Sequence, residues 1–217
     1  MSTFLTDTVD ILRRTPAVVS ALLAGVPNAW AETPDVPDGW RPRDVVGHLI
    51  SAEIDDWIPR AERILADGTS KPFEAFDRFA HVERDSDVPL DRLVERFAEL
   101  RAQMLARLDE LVTDEADLDR RGLHPTLGEV TLRELLATWA VHDLDHVSQI
   151  FAGMAASQDA AVGPWKTYLG ILLRRDDPAA MLGEEHSAKL RRLAERTHTN
   201  PGTIARFLLS TALDEAD

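Results

Sequence analysis

A chain of 217 residues, 44% hydrophobic and 29% charged, has the length of one domain, or one domain plus a small appendage. It also has enough apolar content to bury a core without covalent staples. It contains no cysteine, which excludes disulfides, thiolate metal ligands and a cysteine nucleophile. A formal net charge of -14 argues against nucleic-acid binding, which draws on a basic surface to neutralise phosphates, and suits solubility.

The start, Met1 to Asp7, lacks the basic residues and apolar run of a signal peptide, and the most apolar stretch, Pro16 to Val26, is too short and too punctuated to span a bilayer. The expectation is a soluble, cytoplasmic protein with no membrane partner. Apolar residues recur at helical spacing throughout, and no stretch alternates as a strand, so the predicted class is all-α. The first helix carries Leu5, Val9, Leu12, Val19, Leu22 and Leu23, with Thr15-Pro16 expected to kink or interrupt it. A loop rich in Pro and Asp runs from Asn28 to Gly39. The second helix is expected from Pro42 to about Ala66, ended by Asp67-Gly68. Residues 69–88 read as a long connection, a form of segment often used as a functional lid. The third helix opens near Pro89 with a seam of Leu93, Phe97, Leu100, Met104, Leu108 and Leu111. A loop with His124-Pro125 and Gly128 precedes the fourth helix, which starts on the capping pattern Thr131-Leu132-Arg133-Glu134 and ends near Ala156. A short helix is expected at 162–173, then a linker at 174–178, then two amphipathic segments at 184–196 and 201–215.

The fourth helix carries Trp139-Ala140-Val141-His142-Asp143-Leu144-Asp145-His146. Residues four apart share a helix face, so His142 and His146 are neighbours. The seam Leu132, Leu135, Trp139, His142, His146 turns both imidazoles toward the core. Two buried imidazoles need partners for their nitrogens, and a shared cation bound by neutral rings supplies them. Satisfied core histidines are the plainer alternative for such a pair. His48, in Val45-Val46-Gly47-His48-Leu49, lies on an inward stripe of the second helix and can join them if the two helices are neighbours. Three protein ligands would leave a position open for water or substrate. Asp143 and Asp145 are candidates to orient the ligands' second nitrogens, with a salt bridge or solvent contact as the alternative. Gln149, one turn past His146, is a pocket candidate. His124 sits where it can line the pocket mouth or lie on the surface. His81, His186 and His198 read as exposed.

These residues resemble a family. Trp40-Arg41-Pro42 followed by Val46-Gly47-His48-Leu49, then His124-Pro125, Gly128-Glu129-Val130-Thr131, Leu135 to Trp139 and His142 to His146, resemble signatures of the DinB-like (DinB/YfiT) superfamily. Gly163-Pro164-Trp165 with Tyr168-Leu169-Gly170 resembles its usual ending. The resemblance covers roughly residues 1–175. Arg41 departs from it, standing where a capping Ser or Thr is usual. The resemblance implies a DinB-like four-helix bundle with an unusual connection order, a three-histidine site for zinc or nickel, and frequent homodimers. By position His48, His142 and His146 match the triad. Some relatives are metal-dependent transferases that use a low-molecular-weight thiol.

The expected function is therefore that of a metal-binding protein acting on a small-molecule substrate, as a thiol transferase or a hydrolase. A non-catalytic metal-binding or stress-related module is the alternative. The tail, 176–217, is expected as a C-terminal helical appendage, a hairpin that docks on the bundle or mediates dimerisation. Leu190 to Arg196 followed by Thr203 to Leu209 looks like the helix pair of ribbon-helix-helix DNA-binding proteins. The residues before it hold Pro178, acids and Gly183 in place of a basic strand, so a DNA-reading ribbon is missing.

Overall fold

The structure, a computed structural model, describes residues 3–173, 184–197 and 204. It divides into two compact units, residues 1–158 and residues 159–217. In the first unit the helices are α1 Thr3–Leu23, α2 Asn28–Ala31, α3 Pro42–Asp55, α4 Trp57–Asp67, α5 Ala80–Arg84, α6 Leu90–Leu111 and α7 Leu132–Ala156, with a hairpin of β1 Arg121–His124 and β2 Gly128–Thr131 before α7. In the second are the short α8 Asp159–Val162, a 3-10 turn at Gly163–Tyr168, α9 Gly170–Leu173 and α10 Glu184–Thr197.

The fold is a four-helix bundle in which α1 and α3 each pack against both α6 and α7. Two apolar clusters fill it. One gathers Leu12, Trp57, Leu108, Leu132, Leu136 and Trp139; the other gathers Val19, Val46, Leu49, Leu93, Phe97 and Ile150. The helical periodicity thus lands where it should, with the apolar stripe of each long helix turned inward. Among the described residues no helix is long and apolar enough to cross a membrane.

Two expectations about local structure change, and a third, the kink or interruption at Pro16, is narrowed. The Thr15-Pro16 step does not break the first helix, which is continuous from Thr3 to Leu23 with Pro16 inside it. Pro16 has no N–H for the carbonyl of Leu12, and that carbonyl instead accepts from Nη1 of Arg101 at 2.8 Å. The single helix expected from Pro42 to Ala66 is two helices, α3 and α4, parted at Asp56. Pro59 accounts for the break: its ring clashes with the carbonyl four residues back, so it is tolerated only in the first turn of a new helix. The loop around His124 is a hairpin, with Arg121 opposite Thr131 and His124 opposite Gly128. Pro72 bridges Leu123 beside it, and the Phe73 N–H donates to the Leu123 carbonyl at 2.9 Å. The connection 69–88 is therefore partly structured: it lines the hairpin and then forms α5.

The capping pattern before α7 is formed as read. Oγ1 of Thr131 accepts from the Glu134 N–H at 3.2 Å, and the Glu134 carboxylate accepts from the Thr131 N–H at 2.7 Å. At the start of α3 the usual hydroxyl is replaced by Arg41, and Asp44 does the capping, its Oδ2 accepting from the Arg41 N–H at 3.0 Å and from its Nε at 2.7 Å. The start of α3 is pressed against α7 at Gly153, where a Cβ would stand 2.9 Å from both Pro42 Cδ and the Thr33 carbonyl oxygen. This close approach holds the residues of α3 beside those of α7.

In the second unit, Leu190 and Ala194 on α10 cluster with Ile204. The segment expected at 201–215 lies outside the described residues except at Ile204, as do His198 and nearly all of residues 177–185.

Candidate metal centre

His48 is on the inner face of α3 and is buried. His142 and His146 are one turn apart on α7, His146 buried and His142 partly so. The packing of α3 on α7 brings the three rings together. Nε2 of His142 lies 3.2 Å from Nε2 of His48 and 3.1 Å from Nε2 of His146. All three ligand atoms lie within 4.8 Å of one another.

Hydrogen bonding cannot satisfy this arrangement. An imidazole nitrogen carries either one proton or one lone pair, so Nε2 of His142 cannot pair well with both neighbours. Gln149 Oε1 lies 3.1 Å from Nδ1 of His146. An amide oxygen only accepts, so Nδ1 carries the proton and Nε2 of His146 presents a lone pair to the cluster. Nδ1 of His142 is buried with no hydrogen-bond partner, and His48 has no well-formed bond at Nδ1, only a contact with the Arg78 backbone.

Burial, then the neighbouring His146, pushes His48 down to about 3. Burial, then His146 and His48, pushes His142 down to about 2. His146 is lowered too, chiefly by burial. All three rings are therefore neutral at neutral pH, the form that donates to a metal. A tetrahedral ion with bonds of about 2.0–2.1 Å sets its ligand nitrogens roughly 3.3 Å apart, and the observed spacings of 3.1 and 3.2 Å match. The donor set fits one divalent cation held by three imidazoles.

Aromatic rings wall the cluster. Trp40 lies 4.6 Å from His48 and 6.0 Å from His146, centroid to centroid. Phe76 meets His48 edge-on at 5.7 Å, and Trp57 meets His142 at 5.0 Å. Behind the site lies a buried polar network. Arg101, 1% exposed, donates to Asp143 Oδ2 at 2.6 Å and Oδ1 at 3.0 Å, to Glu53 Oε1 at 2.7 Å and to the Leu12 carbonyl. Trp139 Nε1 donates to Glu53 Oε1 at 3.2 Å. The network ties α1, α3, α6 and α7 together one residue away from His142. Burial pushes Glu53 up despite Arg101. Burial works against the charge of Arg101, but Asp143 and Glu53 outweigh it and hold the guanidinium above its ordinary range.

The other residues singled out from sequence are placed as follows. Asp143 is fully buried and engages Arg101, not a histidine nitrogen. Asp145 is exposed. Gln149 supports His146. His124 organises the hairpin turn, its Nδ1 accepting from the N–H groups of Thr126 and Leu127 at 3.1 Å each.

His81, expected on the surface, is 1% exposed and corrects that reading. It sits on α5, 4.9 Å from Trp40 and 5.8 Å from His48 by ring centroids, with no well-formed hydrogen bond at either ring nitrogen, only a contact with the Arg78 backbone. Burial lowers its pKa. The segment 76–81 thus supplies three residues around the centre, Phe76, Arg78 and His81, that periodicity within a presumed connection did not reveal. The aromatic pair Phe76 and Phe79 close to a histidine was the available signal.

Among solved structures, the chain is similar to YfiT from Bacillus subtilis, described as a probable metal-dependent hydrolase with an unusual four-helix bundle topology. The two are 24% identical, with a TM-score of 0.61, over 70% of this chain and 86% of that one; at this identity the likeness speaks for the fold. No curated protein matches the chain. The DinB superfamily model matches residues 11–150, a span that holds the bundle and all three histidines, and the chain belongs to the DinB superfamily.

Proposed function

We propose that the chain is a divalent-metal-dependent enzyme that adds a nucleophile, water or a low-molecular-weight thiol, to an electrophilic small molecule. The observation that carries this is the convergence of three neutral Nε2 atoms, 3.1 and 3.2 Å apart, from two facing helices. A divalent ion held there, zinc or nickel, would supply Lewis-acid chemistry, lowering the pKa of water or a thiol so that the nucleophile forms at neutral pH. Three protein ligands leave a position open for it, the catalytic pattern and not the structural one.

The chain's own residues divide the remaining work. His48, His142 and His146 would hold the ion. Gln149 keeps His146 in the tautomer that presents Nε2. Trp40, Phe76 and Trp57 wall the rings and limit the water that reaches them. The Arg101 network fixes α7 against α3, so the distance between His48 and the α7 pair does not drift. The YfiT description supports the hydrolytic form of the reaction, and the family resemblance in the sequence supports the thiol form.

The test is metal analysis of the purified chain beside a His142→Ala variant, followed by assays with and without added thiol. Near-stoichiometric metal in the parent and strong loss in the variant are expected. Equal metal in both, or none in either, would overturn the reading.

A further inference from the structure

We propose that Arg78 anchors the substrate of the three-histidine centre by its negative charge, so that the molecule acted on there is a small carboxylate. This rests on the metal-dependent reading above and names its substrate class.

The first observation is an unused charge. Acidic residues outnumber basic ones 38 to 24 in this chain, and arginines find carboxylates readily. Arg41, Arg43, Arg60, Arg84 and Arg96 each have one within 4.0 Å. Arg78, like Arg14 and Arg120, has none among the described residues, and its neighbour in sequence is Asp77; what sets Arg78 apart is its place. Asp77 turns away to accept from the Phe79 N–H at 2.9 Å.

The second observation is where that charge is held. The Arg78 guanidinium carbon lies 5.3 Å from the Trp40 ring and 5.2 Å from the Phe79 ring. Trp40 in turn lies 4.6 Å from His48. One aromatic ring therefore spans from the guanidinium to the imidazoles. Cation–π contact with two rings limits the guanidinium's motion without using its N–H groups, which have no carboxylate partner among the described residues.

The third observation is the chemistry of the pair. The imidazoles are neutral and would bring a cation, and the guanidinium adds a second positive group beside an apolar wall. A molecule with a reacting atom for the first and a planar anion for the second matches both. One guanidinium with no second free cation described beside it balances one charge. In a chain of net charge -14, that favours a monoanionic carboxylate over a phosphate dianion.

The experiment uses the zinc-loaded full chain and two probes, 3-mercaptopropionate and its uncharged amide. Affinities are measured by calorimetry for the parent, Arg78→Lys and Arg78→Gln. The parent should prefer the acid, and Arg78→Gln should reduce the acid-to-amide affinity ratio roughly 10–100-fold, the size of a charge-assisted hydrogen bond. Amide affinity should change less than about twofold, and Arg78→Lys should retain part of the preference. Arg78 is exposed, so both variants should fold, as their melting curves will show.

No preference in the parent, or a preference unchanged in Arg78→Gln, would overturn the inference and leave Arg78 a solvated surface charge. If the chain takes up no zinc, the metal-dependent reading fails by itself, and Arg78 is then judged on metal-free protein. Its Nε–H resonance, assigned by its loss in Arg78→Gln, should move and saturate with the acid and stay still with the amide. A resonance that stays still with both overturns the inference there too.

Discussion

The Arg101 guanidinium donates to the carbonyl oxygen of Leu12 at 2.8 Å, an acceptor freed because Pro16, four residues on, has no N–H to offer it. A proline inside α1 and an arginine inside the core thus answer each other. The other Nη donors of the arginine go to Glu53 and Asp143, while its Nε is buried without a partner, so α1, α3 and α7 are tied to one side chain of α6. Truncating Arg101 would strip the buried Asp143 carboxylate and Leu12 carbonyl of their guanidinium donor and leave Glu53 with Trp139 Nε1. Arg101→Ala is expected to cost about 3–5 kcal/mol, the usual penalty for removing one partner of a buried ion pair. Chemical denaturation of the metal-free protein measures it. A loss under about 1 kcal/mol would show that the network does not hold the helices.

Gln149 is expected to affect metal affinity and not stability. Its Oε1 accepts from Nδ1 of His146 and so sets which nitrogen faces the cluster. Gln149→Ala should weaken metal binding about 10–100-fold, with melting of the metal-free protein little changed. Competition with a chelator gives the affinity. Unchanged binding would show that His146 needs no orienting partner.

Gly47 lets α5 reach the centre. A Cβ there would stand 3.0 Å from Asp85 Oδ2, 3.1 Å from His81 Cβ and 3.2 Å from His81 Cδ2. Gly47→Ala must displace α5, at a cost of about 1–3 kcal/mol for overpacking, and should bring residues 76–85 within reach of protease. Arg84 would lose its grip as well, since it donates to the Gly47 carbonyl and to Ser51 Oγ at 3.0 Å each. Limited proteolysis beside the parent protein is the measurement, and an identical digestion pattern would refute the expectation.

Asp56, at the break between α3 and α4, gives a pH dependence of defined sign. Burial raises its pKa to about 6 from 3.8, although Arg60 opposes the shift. A carboxyl raised in the folded state binds more protons folded than unfolded between those values. Its contribution to stability therefore falls as pH rises through that window. Relative to Asp56→Asn, the parent should lose about 1–2 kcal/mol between pH 5 and pH 7.5. Urea unfolding of both proteins at the two pH values gives the difference, and parallel pH curves would contradict it.

Much of this protein could be read from its residues alone. The spacing of Leu93, Phe97, Leu100 and Leu108 made α6 visible, the Thr131 to Glu134 box marked the start of α7, and the four-residue step from His142 to His146 put two imidazoles on one face. Those features are local, because helical geometry repeats every 3.6 residues. That the third imidazole is His48, with its Nε2 3.2 Å from that of His142, depends on α3 packing against α7. The sequence offered that contact only as a condition. The hairpin escaped notice because four-residue strands with glycines at 122 and 128 are too short to alternate. His81 and Arg101 escaped because a lone polar residue on a helix gives no sign of whether it is buried until its partners arrive. Long-range packing supplied those partners: Glu53 and Asp143 reach Arg101 from 48 and 42 residues away. Local spacing therefore determined the helices and one pair of ligands, and only the tertiary contacts decided which buried charges are compensated and which three rings meet.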